Sequence, residues 1–191
     1  MPETELIERC QKGDREAFNE LVEQYQSHVI NIAYGMLSDR EDAYDAAQET
    51  FVKIYRNIGG FKGKSSLSTW IYRIVANVCN DMLRKRQRSA VVVSMSGTVS
   101  DEDDREMDIT DNAPTPEEMA ELNEEQRAVR IAISELSAEH REIITLSDIE
   151  QLSYEEISEI LKCPIGTVKS RLNRARSALK KKLLKNRELF L

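Results

Sequence analysis

The chain has 191 residues, enough for one domain or two small ones, and carries a formal net charge of -7. It contains no apolar run of about 18 residues and no signal-peptide pattern, so we expect no membrane insertion. Three widely spaced cysteines, Cys10, Cys79 and Cys163, form no C-x-x-C pair and no Cys/His cluster. We therefore expect no disulfide framework, metal site or cofactor, but small buried thiols in a reducing cytoplasm.

The negative net charge hides an uneven distribution of charge along the chain. Residues 101–125 hold twelve acids and one base, Arg105. Residues 61–88 hold seven Lys or Arg against Asp81, and residues 162–187 hold ten Lys or Arg and no acid. Two basic segments separated by an acidic one favour nucleic-acid binding at both ends of the chain.

Residues 1–88 are predicted to form a helical domain. Apolar spacing and turn residues place helices at about 4–11, 14–37, 40–57 and 66–87. Ser38 and Glu41 predict an S-x-x-E capping box at the start of the third helix.

The third predicted helix has an outward face of acids and one apolar residue. Its core side is expected to carry Ala43, Ala47, Phe51 and Ile54. The outward residues are then Asp45, Gln48, Glu49, Val52 and Arg56. Such a face is either a partner-binding surface or an ordinary solvated one.

The fourth predicted helix carries the only tryptophan of the chain on its polar face. Its buried side is expected to contain Ile71, Ile74, Val75, Val78 and Met82. The opposite face contains Trp70, Arg73, Asn77, Asn80 and Arg84. This set suits stacking on unpaired bases beside a phosphate-tracking surface, whereas the alternative is that Trp70 packs in the core.

A basic loop, FKGKSS at residues 61–66, precedes this helix. The loop either presents Phe61 and Lys62 to a splayed base or is a polar turn. Residues 89–120 are rich in Ser, Asp, Glu, Thr and Pro without a sustained apolar period, which predicts a flexible acidic linker.

Residues 121–191 are predicted to form a second, four-helix domain that contains a helix-turn-helix. Ser153 and Glu156 form an S-x-x-E capping box, and apolar residues follow at helical spacing. Pro164 suits the opening of the next helix, and Gly166 is expected to relax the corner between the two helices.

The second helix of this motif has the residue types of a recognition helix. Val168, Leu172, Ala175 and Leu179 form its expected buried stripe. We expect base contacts from Thr167, Ser170, Asn173 and Arg174. We expect phosphate contacts from Lys169, Arg171, Arg176, Lys180, Lys181 and Lys182. The alternative is a solvated basic helix.

The order of these segments resembles the extracytoplasmic-function (ECF) sigma factors of bacterial RNA polymerase. The resemblance rests on DAAQETFVKIYRNI at 45–58, FKGKSSLSTWIYRIVANVCNDMLRKRQR at 61–88 and the helix-turn-helix, and covers nearly the whole chain. It implies a transcription initiation factor, not an enzyme, that binds core polymerase, directs it to two-element promoters and helps melt the minus 10 region.

The resemblance also implies roles for individual residues. Asp45, Gln48, Glu49 and Val52 would bind the polymerase clamp helices. Minus 10 DNA would be bound by Lys53, Phe61, Lys62, Trp70, Arg73, Asn77, Asn80 and Arg84, with Phe61 capturing a flipped base. The second domain would read the minus 35 element as duplex and dock on the polymerase flap.

Two further implications concern the linker and regulation. The acidic linker would lie in the RNA-exit path of the polymerase, and an anti-sigma factor is a possible partner. Asn173 occupies a position where some family members carry a bulky residue. The resemblance therefore does not indicate which base Asn173 would prefer.

Two other classes of function are alternatives to this one. A stand-alone helix-turn-helix repressor or activator would explain residues 127–185 but would leave Trp70 and the basic loop without a role. A nucleic-acid enzyme is disfavoured, because only His28 and His140 are available, no acid cluster has a plausible cleft pattern, and no Gly-rich phosphate loop is present.

Overall fold

The computed structural model describes residues 2–94 and 124–189, and within them the side chains of 2–88 and 125–185. All regular structure in these two ranges is helical, which confirms the all-α prediction. The helices are α1 (Glu3–Gln11), α2 (Arg15–Leu37), α3 (Arg40–Asn57), α4 (Leu67–Ser94), α5 (Glu124–Ser134), α6 (Ala138–Ile144), α7 (Tyr154–Leu161) and α8 (Ile165–Leu189). A 3-10 turn, Ile58–Gly60, follows α3, and a π-helical turn, Thr145–Ile149, extends α6.

The predicted helix bounds of the first half hold to within one residue, except at the end of α4. This helix continues to Ser94 instead of ending near residue 87. No Gly or Pro interrupts residues 67–94, so nothing in the local sequence stops the helix there. The predicted linker, 89–120, therefore begins inside α4, and its residues 95–120 lie outside the described ranges.

The junction between α2 and α3 corrects the predicted Ser38–Glu41 capping box. Ser38 has a left-handed backbone (φ 58°) and ends α2, its N–H donating to the carbonyl of Tyr34. Asp39 caps α3 instead, since its carboxylate accepts from the N–H of Asp42 at 2.8 Å. An N-cap residue needs an extended backbone, so the residue that closes α2 in the left-handed region cannot also open α3.

The first half is built around α2, α3 and α4, which pack against one another. Fully buried side chains from all three helices form its centre, among them Leu21, Ile32, Ile54 and Ile71. Each such side chain stabilises the fold by roughly 1.5–3 kcal/mol through removal of apolar surface from water. The predicted core stripe of α3 is buried, with Phe51 only half-buried.

The second half contains four helices within 124–189, as predicted, and the helix-turn-helix is α7 and α8. Ser153 and Glu156 form the predicted capping box in both directions. The predicted buried stripe of α8 is confirmed at Val168, Leu172 and Ala175, and Leu179 is half-buried.

The backbone of the turn between α7 and α8 differs from the prediction. Lys162, with φ 52°, is the left-handed residue that ends α7. Gly166 lies in the first turn of α8, outside the left-handed region, and an added Cβ would meet no atom within 4 Å. The prediction that Gly166 relaxes this corner is therefore wrong. Ser158 Oγ, which donates to the carbonyl of Cys163 at 2.6 Å, helps fix the turn.

The two halves pack directly against each other. Helix α6 and the π-helical turn lie on α2, and α7 lies on α4. Buried side chains from both halves, such as Met36 and Leu146, belong to one continuous apolar cluster. Cys10 and Cys79 are buried and Cys163 is half-buried, and all three thiols are unpaired.

Candidate nucleic-acid interface

Helix α8 presents a polar face because its apolar side chains point into the second half. Ser170, Asn173, Arg174 and Ser177 are all exposed, opposite the buried stripe. Thr167 is half-buried at the beginning of the helix. These residue types can hydrogen-bond base edges in a major groove.

Among the four exposed side chains on this face, that of Asn173 makes the fewest hydrogen bonds within the described part of the protein. Ser170 Oγ donates to the carbonyl of Thr167 at 3.0 Å, and Ser177 Oγ donates to that of Asn173 at 2.9 Å. Arg174 Nε reaches the Ser170 carbonyl only at 3.4 Å. The Asn173 amide is exposed, and an Asn amide suits the paired donor and acceptor of adenine.

Ion pairs hold three of the predicted phosphate contacts against acids of neighbouring segments. The pairs are Arg171 with Glu139 at 3.0 Å, Arg176 with Asp148 at 2.5 Å, and Lys182 with Glu135 at 3.5 Å. Lys169 is exposed, with its ammonium 5.7 Å from the ring centroid of Tyr154. Partly exposed pairs of this kind contribute little stability, so phosphate groups can displace the acids.

A second polar surface lies between α3 and α4. Lys53 and Asn57 from α3 face Trp70, Ile74 and Asn77 from α4 across an open pocket of about 340 Å³. Helical spacing aligns these residues, since each follows another on its own helix at three or four positions. An ammonium, two amides and an indole around an apolar floor can bind the edge and face of a nucleobase.

The loop before α4 contributes an aromatic ring to this surface. The ring centroids of Phe61 and Trp70 lie 5.2 Å apart, and both side chains are half-buried. Gln11 anchors the loop, because its side-chain amide donates to the carbonyls of Ile58 at 3.2 Å and Phe61 at 2.9 Å. Trp70 thus packs on the core, as one of the two alternatives expected, and it also lines the pocket.

The remaining residues of the predicted minus 10 face are not at this pocket. Asn80 donates to Glu142 Oε1 of α6 at 2.8 Å, so the second half covers it. Arg84 pairs with Asp81 at 3.2 Å on the exposed surface of α4. Arg73 Nη2 is 3.5 Å from Ser65 Oγ, and Lys62 is exposed in the loop.

Sequence reasoning missed three residues of this surface. Asn57 lies four positions after Lys53, and Ile74 lies three positions before Asn77, so helical spacing from the predicted residues points to both. Ile74 was expected on the buried side and is half-buried at the pocket instead. Gln11 is 50 residues from Phe61 in the chain, and no local pattern indicates its contact.

The outward face of α3 is exposed as predicted. Asp45, Gln48, Glu49 and Val52 all face solvent, and Val52 is 47% exposed. Two aromatic residues that the sequence analysis did not single out, Tyr44 and Tyr55, are exposed on the same helix. Lys53 Nζ pairs with Glu49 Oε1 at 2.9 Å, which links this face to the pocket.

Across the described ranges, no group of three or more His, Cys, Asp or Glu side chains is arranged to hold a metal ion. None of the helices in those ranges is both long enough and apolar enough to span a membrane.

Comparison with known proteins assigns the chain that carries these surfaces to a family. Residues 21–89 match the family Sigma-70 region 2, and residues 126–179 match Sigma-70, region 4. The chain is 37% identical to the RNA polymerase sigma-H factor of Pseudomonas aeruginosa, over 94% of this chain and 92% of that protein. It is 38% identical to the ECF RNA polymerase sigma-E factor of Haemophilus influenzae, over 93% of each.

Solved structures agree with this assignment. The sigma factor RpoE of Bartonella quintana, solved with the anti-sigma factor NepR, superposes with a TM-score of 0.65 at 27% identity, covering 88% of this chain and 96% of that one. CnrH, solved with the cytosolic domain of CnrY, shares the fold with a TM-score of 0.60 at 21% identity, covering 93% of this chain and 94% of that one.

The two matched regions, each carrying one of the polar surfaces, define the class as sigma-70-type initiation factors. Within that class, the chain belongs to the ECF RNA polymerase sigma factors. The resemblance inferred from the sequence is thereby confirmed, and transcription initiation is the function of this chain.

Proposed function

We propose that this chain binds core RNA polymerase through α3, reads the minus 35 element as duplex through α8, and opens the minus 10 element at the pocket between α3 and α4. The convergence of Lys53, Trp70 and Asn77 from two helices on one open pocket carries this proposal. A stand-alone repressor that reads only duplex DNA would have no use for a stacking surface of this kind.

The pocket suits strand opening because its parts act on different portions of an unpaired nucleotide. Trp70 offers a stacking surface and Phe61 packs against it. Asn77 and Asn57 offer amide groups to a base edge, although the Asn57 nitrogen also donates to the Lys53 carbonyl at 2.7 Å, and Lys53 offers a cation to the backbone. Unstacking a base costs a few kcal/mol, and stacking on an aromatic side chain returns roughly 1–3 kcal/mol. The balance is close to zero, so promoter opening depends on sequence.

The α3 face is proposed as the polymerase contact. Acids surrounding an exposed Val52, with Tyr44 and Tyr55 also exposed, provide an apolar centre with a charged rim. Such a composition is typical of protein interfaces. The apolar side of α8 is buried within its own half, so a flap contact would use exposed apolar side chains such as Val129 or Ile149.

Two further proposals concern the regulation of the protein and its location in the cell. The B. quintana relative was solved with an anti-sigma factor, and we extend an anti-sigma partner to this chain. The protein would act in the cytoplasm beside the polymerase, as a binding factor without catalysis and without a cofactor.

Abortive transcription from a supercoiled promoter library, with purified bacterial core polymerase, tests the proposal. We expect defined two-element promoters to fire only when the protein is added. If the polymerase is neither bound nor redirected while the protein alone binds specific duplex DNA, the repressor or activator function replaces this one.

A further inference from the structure

Gln11, the last residue of α1, ties this helix to the loop that carries Phe61. Its amide nitrogen, Nε2, donates to the carbonyl of Ile58 at 3.2 Å and to that of Phe61 at 2.9 Å. A carbonyl oxygen can only accept hydrogen bonds, so the amide nitrogen of Gln11, and not its oxygen, must face the two carbonyls. The amide group thus spends both of its hydrogens on one short stretch of backbone.

The two carbonyls belong to the residues at either end of the 3-10 turn. The N–H of Phe61 donates back to the carbonyl of Ile58 at 3.0 Å, which closes the turn. Three glycines lie between residues 58 and 66, and one of them, Gly63, has a left-handed backbone (φ 65°). Glycine loses more backbone freedom on ordering than any other residue, so a contact from another element is needed to offset that cost here.

Helix α1 is a firm support for Gln11. Leu6 and Cys10 of this helix are buried in the core of the first half. At the end of the helix, Arg9 Nε donates to Asp14 Oδ2 at 2.7 Å, and Asp14 in turn caps the N-terminus of α2. The backbone of Gln11 is therefore held by packing and by the α1–α2 junction, and its amide transmits that order to the loop.

The Gln11 side chain itself contributes little to folding. It is exposed, so its truncation leaves no cavity in the core. The match to Sigma-70 region 2 begins at residue 21, so Gln11 and α1 lie outside it, whereas the pocket residues Lys53, Trp70 and Asn77 lie inside it. A contact from beyond the matched region therefore reaches the loop beside the pocket.

We propose that Gln11 is a positioning residue for promoter opening, which acts through Phe61 and does not itself touch DNA. This proposal rests on the proposed function. The ring of Phe61 lies 5.2 Å from that of Trp70, which lines the pocket, so the backbone that Gln11 holds determines where Phe61 meets Trp70. With Gln11 bound, the loop is ordered before a base arrives, and the cost of ordering it is not subtracted from the binding of that base.

Gln11→Ala in the full chain, assembled with core polymerase, is the first test. It removes both hydrogen bonds, and we expect initiation from duplex promoters to fall by about fivefold, as for the loss of hydrogen bonds at an exposed site. Initiation from a template pre-melted at minus 10 should fall less, and the urea midpoint of the chain should not change. Gln24→Ala, the same change at an exposed glutamine of α2, is the matched control and should initiate normally.

A double-mutant cycle with Phe61→Ala separates positioning from a structural role. If Gln11 acts through Phe61, Gln11→Ala should cause almost no further loss once the Phe61 ring has been removed. Two independent effects would multiply instead, and a multiplied loss would overturn the proposal. A lowered urea midpoint with equal losses on duplex and pre-melted templates would also overturn it, because Gln11 would then act through folding.

Gln11→Glu tests the donor without shortening the side chain. At neutral pH its carboxylate can only accept, so it cannot bond the two carbonyls, and we expect a loss on duplex promoters at least as large as that of Gln11→Ala. A Gln11→Glu chain as active as the natural one would show that the hydrogen bonds have no role in opening. Failure of the natural chain to initiate with core polymerase would instead overturn the proposed function, and the role of Gln11 with it.

Discussion

Phe61 and Trp70 come from different segments, a loop and a helix, yet their rings lie 5.2 Å apart with planes inclined by 52°. Trp70 lines the pocket that Lys53 and Asn77 complete, and Phe61 packs against Trp70. Because Gln11 holds the loop backbone at Phe61, the aromatic edge is positioned before any nucleic acid binds. A preformed stacking surface reduces the ordering cost of capturing a base.

Trp70→Ala should impair initiation on duplex promoters more than on pre-melted templates. Loss of one stacking surface costs roughly 1–3 kcal/mol, or about 5- to 150-fold in opening. Abortive product formation on the two templates gives the ratio directly. Trp70→Phe keeps an aromatic ring and should recover most of the activity. Equal losses on both templates would assign Trp70 to folding instead of promoter opening.

Asn173→Ala should relax base preference at one position of the minus 35 element. A well-placed bidentate contact discriminates by about 1–3 kcal/mol, and the Asn173 amide is exposed for such a contact. Competition binding with all four bases at each position measures the change. Lys180→Ala is the contrasting variant. It should weaken binding to all sequences alike and reduce the slope of the log binding constant against log salt concentration by about one. If Asn173→Ala behaves like Lys180→Ala, Asn173 does not read a base.

Val52→Ala and Asp45→Ala should each weaken binding to core polymerase without unfolding the protein. Both side chains are exposed on α3, so their removal leaves no internal cavity. Hot-spot residues, which cluster near the centre of an interface, cost more than about 1 kcal/mol when truncated, or about fivefold in affinity. Titration of labelled protein with core polymerase measures this loss. Glu41→Ala, exposed on the same helix outside the predicted face, should bind normally.

Acidification should stabilise the folded chain through Glu142. Burial is the main cause that raises the pKa of Glu142 above its ordinary value of 4.5, and the nearby Glu139 also raises it. Asn80, Arg171 and Arg84 oppose that rise. A raised folded-state pKa means that the folded chain binds the proton first. Stability therefore grows as pH falls through this pKa, and the gain is complete below 4.5.

Urea denaturation at a series of pH values from neutral to about 4.5 checks this prediction. Glu142→Gln should remove the pH dependence contributed by this carboxyl group. Glu155→Gln, an exposed change on α7, should retain it. A Glu142→Gln variant that follows the natural chain over the whole range would contradict the assignment.

Local patterns were sufficient for most of the secondary structure. The capping box at Ser153 and the apolar stripe of α8 follow from residues within a few positions of one another, and both are present. One error occurred where two signals competed at one place. Ser38 fits a capping motif in sequence, but the end of α2 determines its backbone conformation and leaves the cap to Asp39.

The sequence alone determined the all-α class, the polar faces of α3 and α8 and membership of the sigma family, because these depend on periodicity, charge and motif order. Only the tertiary structure decided that Asn57 joins Trp70 in one pocket, that Gln11 anchors Phe61, and that Glu142 covers Asn80. Those contacts join residues 13 to 62 positions apart. Helical spacing specifies which side of a helix a residue occupies, whereas the packing of whole helices determines what that side meets.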